Sequence, residues 1–175
     1  MKFIFSFVVF FLFLNCLATA QTLIQNCCKK ATTTDPDLNY DICVQYLEND
    51  PQSKNATSLK ELIIAITKNA ASKSTNVKRI AEEILKKNLT HGVEVPLRAC
   101  LELYDDANDS LNDTLKFVDL GDYKSVNSAL STAMDGPVTC EDGFKEFETK
   151  SPIVNENNVL VQLLSIDLVF SVIPK

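Results

Sequence analysis

The segment from Pro96 to Leu120 constrains the fold more than any other part of the chain, because its two sides differ in chemistry. At about 100° per residue, as in a helix, one side gathers a cysteine and apolar residues: Cys100, Tyr104, Ala107, Leu111, Leu115 and Val118. The opposite side carries four carboxylates, named here the acidic stripe: Glu102, Asp106, Asp109 and Asp113. The pattern predicts a helix that is anchored in a core by one face and exposes negative charge on the other.

A helical period also recurs along the rest of the chain, and glycine is scarce, with four in 175 residues. We therefore expect an all-α fold with two short and four long helices, over residues 22–31, 37–48, 58–88, 96–120, 122–147 and 155–173. Pro36 is expected in the first turn of the second helix and Pro96 in that of the fourth. Gly136-Pro137 is expected to interrupt or bend the fifth helix, and Asn155 to cap the sixth.

Four long helices with short connections predict an antiparallel four-helix bundle, over about residues 58–173. The two short helices, over about 22–48, would form an N-terminal hairpin. Residues 1–20 are excluded from this fold, because Lys2, the apolar run 3–14 and Ala18-Thr19-Ala20 have the pattern of a secretory signal peptide. The mature chain, 21–175, is expected to form a single domain.

Charge and cysteine content limit the classes of partner and cofactor. The formal net charge of −6 argues against nucleic acid and against anionic membrane surfaces. There is one histidine and no Cys-x-x-Cys pair, so we expect no metal and no cofactor. In a secreted chain the cysteines predict disulfides.

Five cysteines remain after the signal peptide: Cys27, Cys28, Cys43, Cys100 and Cys140. Adjacent Cys27 and Cys28 are not expected to bond to each other, so one of the two should pair with Cys43. By elimination, Cys100 pairs with Cys140. The remaining cysteine is either a buried free thiol or a group for intermolecular pairing.

Four Asn-x-Ser/Thr sequons are candidate sites of N-glycosylation in a secreted chain: Asn55, Asn88, Asn108 and Asn112. We expect one or two of them to be occupied. On the helical projection Asn112 lies near the edge of the acidic stripe, where a glycan would crowd a docking protein.

No pattern of catalytic residues accompanies the acidic stripe. His91 is expected in a loop beside Gly92, as an ordinary surface residue, and no nucleophile elbow, zinc-binding helix or phosphate loop is present. The sequence therefore predicts a binding protein and not an enzyme. The simplest alternative is that the stripe is only a solvated helix face.

The chain resembles the plant invertase and pectin methylesterase inhibitor family, and the similarity spans nearly the whole mature chain. The matching segments are Cys28-Lys-Lys, Leu38-Asn-Tyr-Asp-Ile-Cys43, Leu47-Glu-Asn-Asp-Pro-Gln-Ser53, Cys100 with Tyr104 and Ala107, Gly121-Asp-Tyr-Lys-Ser125, Ala133-Met-Asp-Gly136 and Thr139-Cys-Glu-Asp-Gly-Phe144. The resemblance implies a secreted four-helix bundle with an N-terminal helical hairpin. It also implies disulfides Cys28–Cys43 and Cys100–Cys140, with Cys27 as the extra cysteine.

Two target enzymes follow from the resemblance. Cell-wall invertase inhibitors carry Pro-Lys-Phe after a Gly-Asp, where this chain has Tyr123-Lys124-Ser125 and keeps only the lysine. Pectin methylesterase inhibitors carry Gly-Asp-Tyr there, as this chain does. They also present acidic residues on the second bundle helix and after the fourth cysteine, at positions matched here by Glu102, Asp106, Asp109 and Asp142.

The resemblance thus implies a secreted inhibitor in the apoplast that occludes the substrate cleft of a pectin methylesterase at 1:1 stoichiometry. Phe117 and Tyr123 are candidate aromatic anchors for the target enzyme. The alternative, given equal weight, is that both rings only pack at the end of the bundle. An acid invertase is the alternative target. A non-inhibitory helical protein, like the similar pollen allergens, is the second alternative. A monomer is expected, with a dimer left open.

Overall fold

The computed structural model describes residues 22–173, so the predicted signal peptide lies outside the described residues. Seven helices follow one another, and no strand occurs within the described range. They are α1 (22–34), α2 (Tyr40–Asn49), α3 (Pro51–Lys54), α4 (Leu59–Leu85), α5 (His91–Leu120), α6 (Tyr123–Glu146) and α7 (Val154–Val172). The expected all-α architecture is confirmed, with the short α3 as an addition that the sequence did not indicate.

The four long helices, α4 to α7, form the bundle. Each packs on the next along the chain, and α7 returns to pack on α4. Contacts at both ends of two pairs show that neighbours are antiparallel: Lys60–Asp119 and Lys78–Asp105 between α4 and α5, and Asn127–Ser171 and Glu141–Asn157 between α6 and α7. All four contribute to one core, including Leu62, Ile66, Leu97, Leu111, Leu130, Phe144, Leu160 and Phe170. Within 22–173, no helix has the length and apolarity that crossing a membrane requires.

Helices α1 and α2 form the hairpin, joined by the Cys28–Cys43 disulfide with 5.8 Å between the Cα atoms. The hairpin lies against the bundle, because its buried residues belong to the same core. In addition, the Tyr46 hydroxyl donates to Gln162 Oε1 on α7 at 3.0 Å. Pro36 lies in the turn before α2 and not in its first helical turn. The helix begins later because Asn39 caps it, accepting from the Ile42 amide at 3.1 Å.

Helix α5 begins at His91, five residues before the expected start, and this corrects two predictions. His91 is the first helical residue and not a loop residue, and its ring contacts Phe147 edge-on. Pro96 lies inside the helix, where its missing N–H leaves the carbonyl of Gly92 without its usual partner. Thr149 Oγ1 donates to that carbonyl at 2.9 Å, so the proline is accommodated by a hydrogen bond from a distant loop.

Helix α6 runs without interruption through Gly136-Pro137, in contrast to the expected break. Gly136 lies where α5 and α6 approach closely. A Cβ atom there would be 2.9 Å from the Leu103 carbonyl oxygen and 3.0 Å from Ala107 Cβ. A side chain at this position would push the two helices apart, so glycine is required for their packing.

Helix α7 starts at Val154, so Asn155 lies in its first turn and is not its cap. The preceding turn is organised by Ser151 instead, whose hydroxyl oxygen accepts from the Ile153 amide at 3.2 Å. The helix is buried on most sides, as its nearly continuous apolar sequence predicts.

Candidate functional site

All four carboxylates of the acidic stripe are exposed on α5. The buried side of the helix carries Cys100, Tyr104, Ala107, Leu111 and Val118. Successive stripe residues are three or four positions apart, which places them about 4.5 to 6 Å apart along the helix axis. The helix therefore offers solvent a continuous row of negative charge while its other face is fixed in the core.

Ion pairs divide these carboxylates into two groups. Asp113 accepts from Lys116 Nζ at 2.8 Å, and this bond raises the pKa of the lysine. Among the described residues, no lysine, arginine or histidine lies within 4.0 Å of the carboxylates of Glu102, Asp106 and Asp109. The part of the stripe from 102 to 109 thus has no bound counter-charge of its own.

Asp142 differs from these three residues, although the resemblance placed it with them. It is exposed on α6, and its carboxylate accepts from Lys145 Nζ at 2.7 Å. This hydrogen bond raises the pKa of Lys145. Asp142 therefore presents an ion pair to solvent, and not a free negative charge.

The turn between α5 and α6 places the other candidate residues. Gly121 ends α5 with a φ of 73°, a left-handed conformation that favours glycine. Asp122 caps α6 by accepting from the Ser125 amide at 3.2 Å and from the Ser125 hydroxyl at 2.6 Å, bonds that lower the pKa of its carboxyl. Lys124 is exposed beside it.

Phe117 and Tyr123 flank this turn and are half-buried against the core. Each therefore packs at the end of the bundle and also keeps part of its ring at the surface. The two readings of these aromatic residues, packing and anchoring, are compatible in this geometry.

A buried polar network behind the stripe holds α5 to α6 and α7. The Tyr104 hydroxyl donates to Asn157 Oδ1, and Asn157 Nδ2 donates to Glu141 Oε1 at 2.5 Å. The Ser151 hydroxyl donates to the same Glu141 oxygen at 2.8 Å. Burial raises the pKa of Tyr104 above its usual range, so the phenol remains a hydrogen-bond donor.

The Cys100–Cys140 disulfide lies beside this network, with its Cα atoms 5.0 Å apart. The sequence analysis predicted neither Asn157 as the partner of Tyr104 nor Glu141 as the partner of Asn157. The sequence offers little signal for this pairing, because Asn157 lies in a polar run, Asn155-Glu-Asn-Asn158, at the start of α7. Together, the disulfide and the network fix the backbone from which the stripe projects.

The four sequons differ in surroundings. Asn55, Asn88 and Asn112 are exposed, and Asn112 directly precedes Asp113 of the stripe. Asn108 is half-buried, and its Oδ1 is buried without a hydrogen-bond partner. Exposure favours glycosylation at the first three, which remain predictions.

The described residues include no metal-binding cluster of three or more histidine, cysteine, aspartate or glutamate side chains. Cys27 is a buried free cysteine, and burial raises the pKa of its thiol. It borders an open cavity of about 570 Å³ between α1, the start of α4 and the end of α7. An inert, packed thiol fits this environment better than a reactive one.

Comparison with known proteins adds a family and several relatives. The family model described as plant invertase/pectin methylesterase inhibitor matches residues 22–169. Pectinesterase inhibitor 12 of Arabidopsis thaliana is 50% identical over 171 residues, which cover 98% of each chain. A protein of Platanus orientalis, provisionally named an invertase inhibitor, is 36% identical over 169 residues, 96% of this chain and 95% of its own.

A solved structure has the same fold. The crystal structure of a mutant form of a pectin methylesterase inhibitor from Arabidopsis superposes with a TM-score of 0.72 at 23% identity. The superposition covers 84% of this chain and 98% of that one.

Proposed function

The chain belongs to the plant invertase/pectin methylesterase inhibitor family, and from this premise we propose that it inhibits a plant pectin methylesterase by covering its substrate cleft. It is an inhibitor and catalyses no reaction itself. The half-identical Arabidopsis relative is named for pectinesterase, which favours this enzyme over an acid invertase. We further propose that the protein is secreted to the apoplast and acts there as a monomer at 1:1 stoichiometry.

The observation that carries the mode of action is the row of three unpaired carboxylates on α5, at Glu102, Asp106 and Asp109. The substrate of a pectin methylesterase is a partly methyl-esterified polygalacturonate chain, and the free carboxylates of that chain form a line of negative charge along the enzyme's groove. A helix with carboxylates about 4.5 to 6 Å apart along its axis resembles that line of charge. We propose that α5 binds where the polysaccharide binds.

The rigidity of α5 supports this role. The helix is fixed from behind by Cys100–Cys140, by the Tyr104 hydrogen bond and by the close approach at Gly136. A surface that is ordered before binding loses little conformational entropy when the complex forms. The carboxylates would then set the association rate and the choice of partner.

Affinity would come from apolar contacts at the end of the helix. Phe117 and Tyr123 are the proposed anchors, because each exposes part of an aromatic ring beside the turn at Gly121. Partly buried rings of this kind are common in the energetic centre of protein interfaces. Exposed Lys124 and the ion-paired Asp142 would lie at the edge of the contact, where charge affects specificity more than affinity.

Inhibition of an acid invertase is the second candidate, favoured by one observation. Lys124 is exposed in the first turn of α6, at the position where the invertase inhibitors carry their own lysine. Against it stands the loss of the neighbouring proline and phenylalanine. The third candidate, a family member that inhibits neither enzyme, predicts a glycan on Asn112 beside the stripe.

The test is to purify residues 21–175 with both disulfides formed and to titrate them separately into a plant pectin methylesterase and an acid invertase. We expect esterase activity to fall linearly to a break at one inhibitor per enzyme, with invertase activity unchanged. Full esterase activity in the presence of excess inhibitor would overturn the proposal. Mass mapping of the protein from plant tissue completes the test, since full occupancy of Asn112 would favour the non-inhibitory alternative.

A further inference from the structure

Asp167 is a fully buried carboxyl in the C-terminal half of α7, the most apolar helix of the bundle. Its Oδ2 lies 2.6 Å from Thr67 Oγ1 on α4, so the two residues connect the helices that close the bundle. We propose that Asp167 is protonated in the native protein, and that loss of this proton weakens the contact between α7 and α4. The fold would then be stabilised by acid.

The hydrogen bonds of Thr67 support this protonation state. Thr67 Oγ1 lies 2.8 Å from the Ile63 carbonyl oxygen as well as 2.6 Å from Asp167 Oδ2. A hydroxyl has one hydrogen to donate, and a carbonyl can only accept. Both short contacts are hydrogen bonds only if Thr67 donates to Ile63 while a protonated Asp167 donates to Thr67.

The second oxygen of the carboxyl points to the same conclusion. Asp167 Oδ1 is buried and has no hydrogen-bond partner. A carboxylate in this position would spread its charge over an oxygen with neither donor nor cation to stabilise it, which is strongly unfavourable in an apolar interior. A neutral carboxyl group leaves only a weak acceptor unsatisfied.

Charged groups on the surrounding helices do not compensate Asp167. The hydrogen bonds Thr67–Asp167, Asn127–Ser171 and Tyr46–Gln162 fix how the neighbouring helices are aligned with α7. By this alignment, the titratable side chains close to the level of Asp167 are Glu61, Lys68 and Lys73 on α4, Lys124 and Asp135 on α6, and Tyr46 and Glu48 on α2. Those on α4 and α6 are exposed, whereas Tyr46 and Glu48 are half-buried. Burial raises the pKa of Asp167 well above its usual value, and no charged group on the surrounding helices offsets this effect.

The direction of the pH dependence follows from proton linkage. An aspartate in the unfolded chain loses its proton at about pH 3.9, whereas the native carboxyl keeps its proton to higher pH. Between these two values, raising the pH removes a proton from the unfolded state alone and so favours unfolding. The contribution of Asp167 to stability is complete below the unfolded pKa and is lost as the pH rises to the native one. The unfolding equilibrium constant would rise by up to about tenfold per pH unit in this interval.

For the inhibitor, the contribution of Asp167 to stability is largest in acidic surroundings. That functional consequence rests on the proposed function above. The stability of the protein does not, because it can be measured without any enzyme. Failure of the two proposals is therefore distinguishable.

The experiment compares the natural protein with an Asp167→Asn variant by urea unfolding at pH values from 4 to 8, with the disulfides intact. The amide has the same shape and can donate to Thr67, but it does not ionise. We expect similar unfolding constants at pH 4, and at pH 7 an unfolding constant at least about tenfold smaller for the variant. Asp135→Asn, which changes an exposed aspartate on α6, is the matched control and should follow the natural profile.

A measurement on the natural protein keeps the test decisive if the variant does not fold. Carbon-13 NMR of the aspartate carboxyl groups should show one that stays protonated well above the pH at which the others titrate. The proposal would be overturned if the unfolding constants of the natural protein and of Asp167→Asn changed with pH in the same way. A spectrum in which every aspartate titrates near its ordinary pKa would also overturn it.

Discussion

Asp109 and Asp113 lie one turn apart on α5 and carry the same charge, yet their surroundings differ. Asp113 already forms an ion pair with Lys116 at 2.8 Å, and Asp109 has no counter-charge within 4.0 Å among the described residues. A partner with a positively charged cleft would gain more from an unpaired carboxylate than from one that must first release a lysine. Individual residues of one stripe are therefore expected to contribute unequally to binding.

This difference gives a prediction for the inhibitor. Neutralising the unpaired residues, with Asp106→Asn and Asp109→Asn together, should weaken inhibition of pectin methylesterase by about tenfold at low salt, since exposed charge pairs contribute up to about 1 kcal/mol each. The loss should shrink as salt is added, because exposed charges are screened. The measurement is the inhibition constant at several ionic strengths, with circular dichroism to show that helicity is retained.

Asp113→Asn is the matched control, because it removes one charge from the same stripe on the same helix. We expect it to change inhibition by less than about twofold, given its existing ion pair. A loss of binding free energy for the control that is half the loss for the double variant would show that only total charge matters, because the control removes one charge and the double variant removes two. No effect of either would show that the stripe is an ordinary solvated face.

At this scale, some features could be predicted from the sequence and others could not. The outward direction of Asp106 and Asp109 follows from the helical period, a local property. The pairing of Thr67 with Asp167 joins residues 100 positions apart, and the period gives no information about which buried polar groups will meet. The same is true of Tyr104 and Asn157.

At the scale of helices, the positions of the helix starts depend on contacts from elsewhere in the fold. Pro96 suggested a start for α5, because proline fits the first helical turn. The helix begins at His91 and continues through Pro96, and Thr149, from the loop before α7, donates to the carbonyl that the proline leaves unpaired. Local sequence rules could not include a donor 57 residues away.

The Thr149 hydrogen bond can be tested through stability. Thr149→Val keeps the shape of the side chain and removes the hydroxyl, leaving the Gly92 carbonyl without its donor. We expect the free energy of unfolding to fall by about 1 kcal/mol, the usual net contribution of a hydrogen bond. The measurement is urea unfolding followed by circular dichroism.

Thr132→Val provides the control for this substitution. Thr132 Oγ1 donates at 3.1 Å to the carbonyl of Ser128, within an exposed part of α6, where the carbonyl already has a helical partner. Its loss should change stability by less than about 0.5 kcal/mol. If both variants lose the same free energy of unfolding, the loss is a general effect of replacing threonine with valine. It then does not come from the hydrogen bond that accommodates Pro96.

For the whole molecule, the bundle could be predicted because its signals are repeated along the chain. Apolar stripes at helical spacing occur in each long segment, and the five cysteines after residue 20 limit how the segments can be joined. The short α3 was not predicted, since four residues are too few to show a period. The packing of the hairpin on its own bundle also required the structure, because Tyr46 and Gln162 are 116 residues apart.

The two disulfides hold different parts of this architecture, which gives a prediction for the intact molecule. Cys28–Cys43 closes a loop of 15 residues within the hairpin, and Cys100–Cys140 closes one of 40 between α5 and α6. By the chain-entropy relation, replacing each pair with alanines should lower the free energy of unfolding by about 3 and about 4 kcal/mol respectively. Because both cysteines of a pair are replaced, neither variant contains a newly freed thiol that could form a disulfide with Cys27.

The two disulfide variants should differ more in inhibition than in stability. Under conditions in which both remain folded, loss of Cys100–Cys140 should weaken inhibition more, because this bond fixes the helix that carries Glu102, Asp106 and Asp109. Loss of Cys28–Cys43 should leave inhibition nearly unchanged, since the hairpin carries no stripe residue. The measurement is the inhibition constant of each variant at a temperature below both unfolding transitions. The reverse order would place the enzyme contact on the hairpin, and the acidic face of α5 would then serve only to keep the protein hydrated.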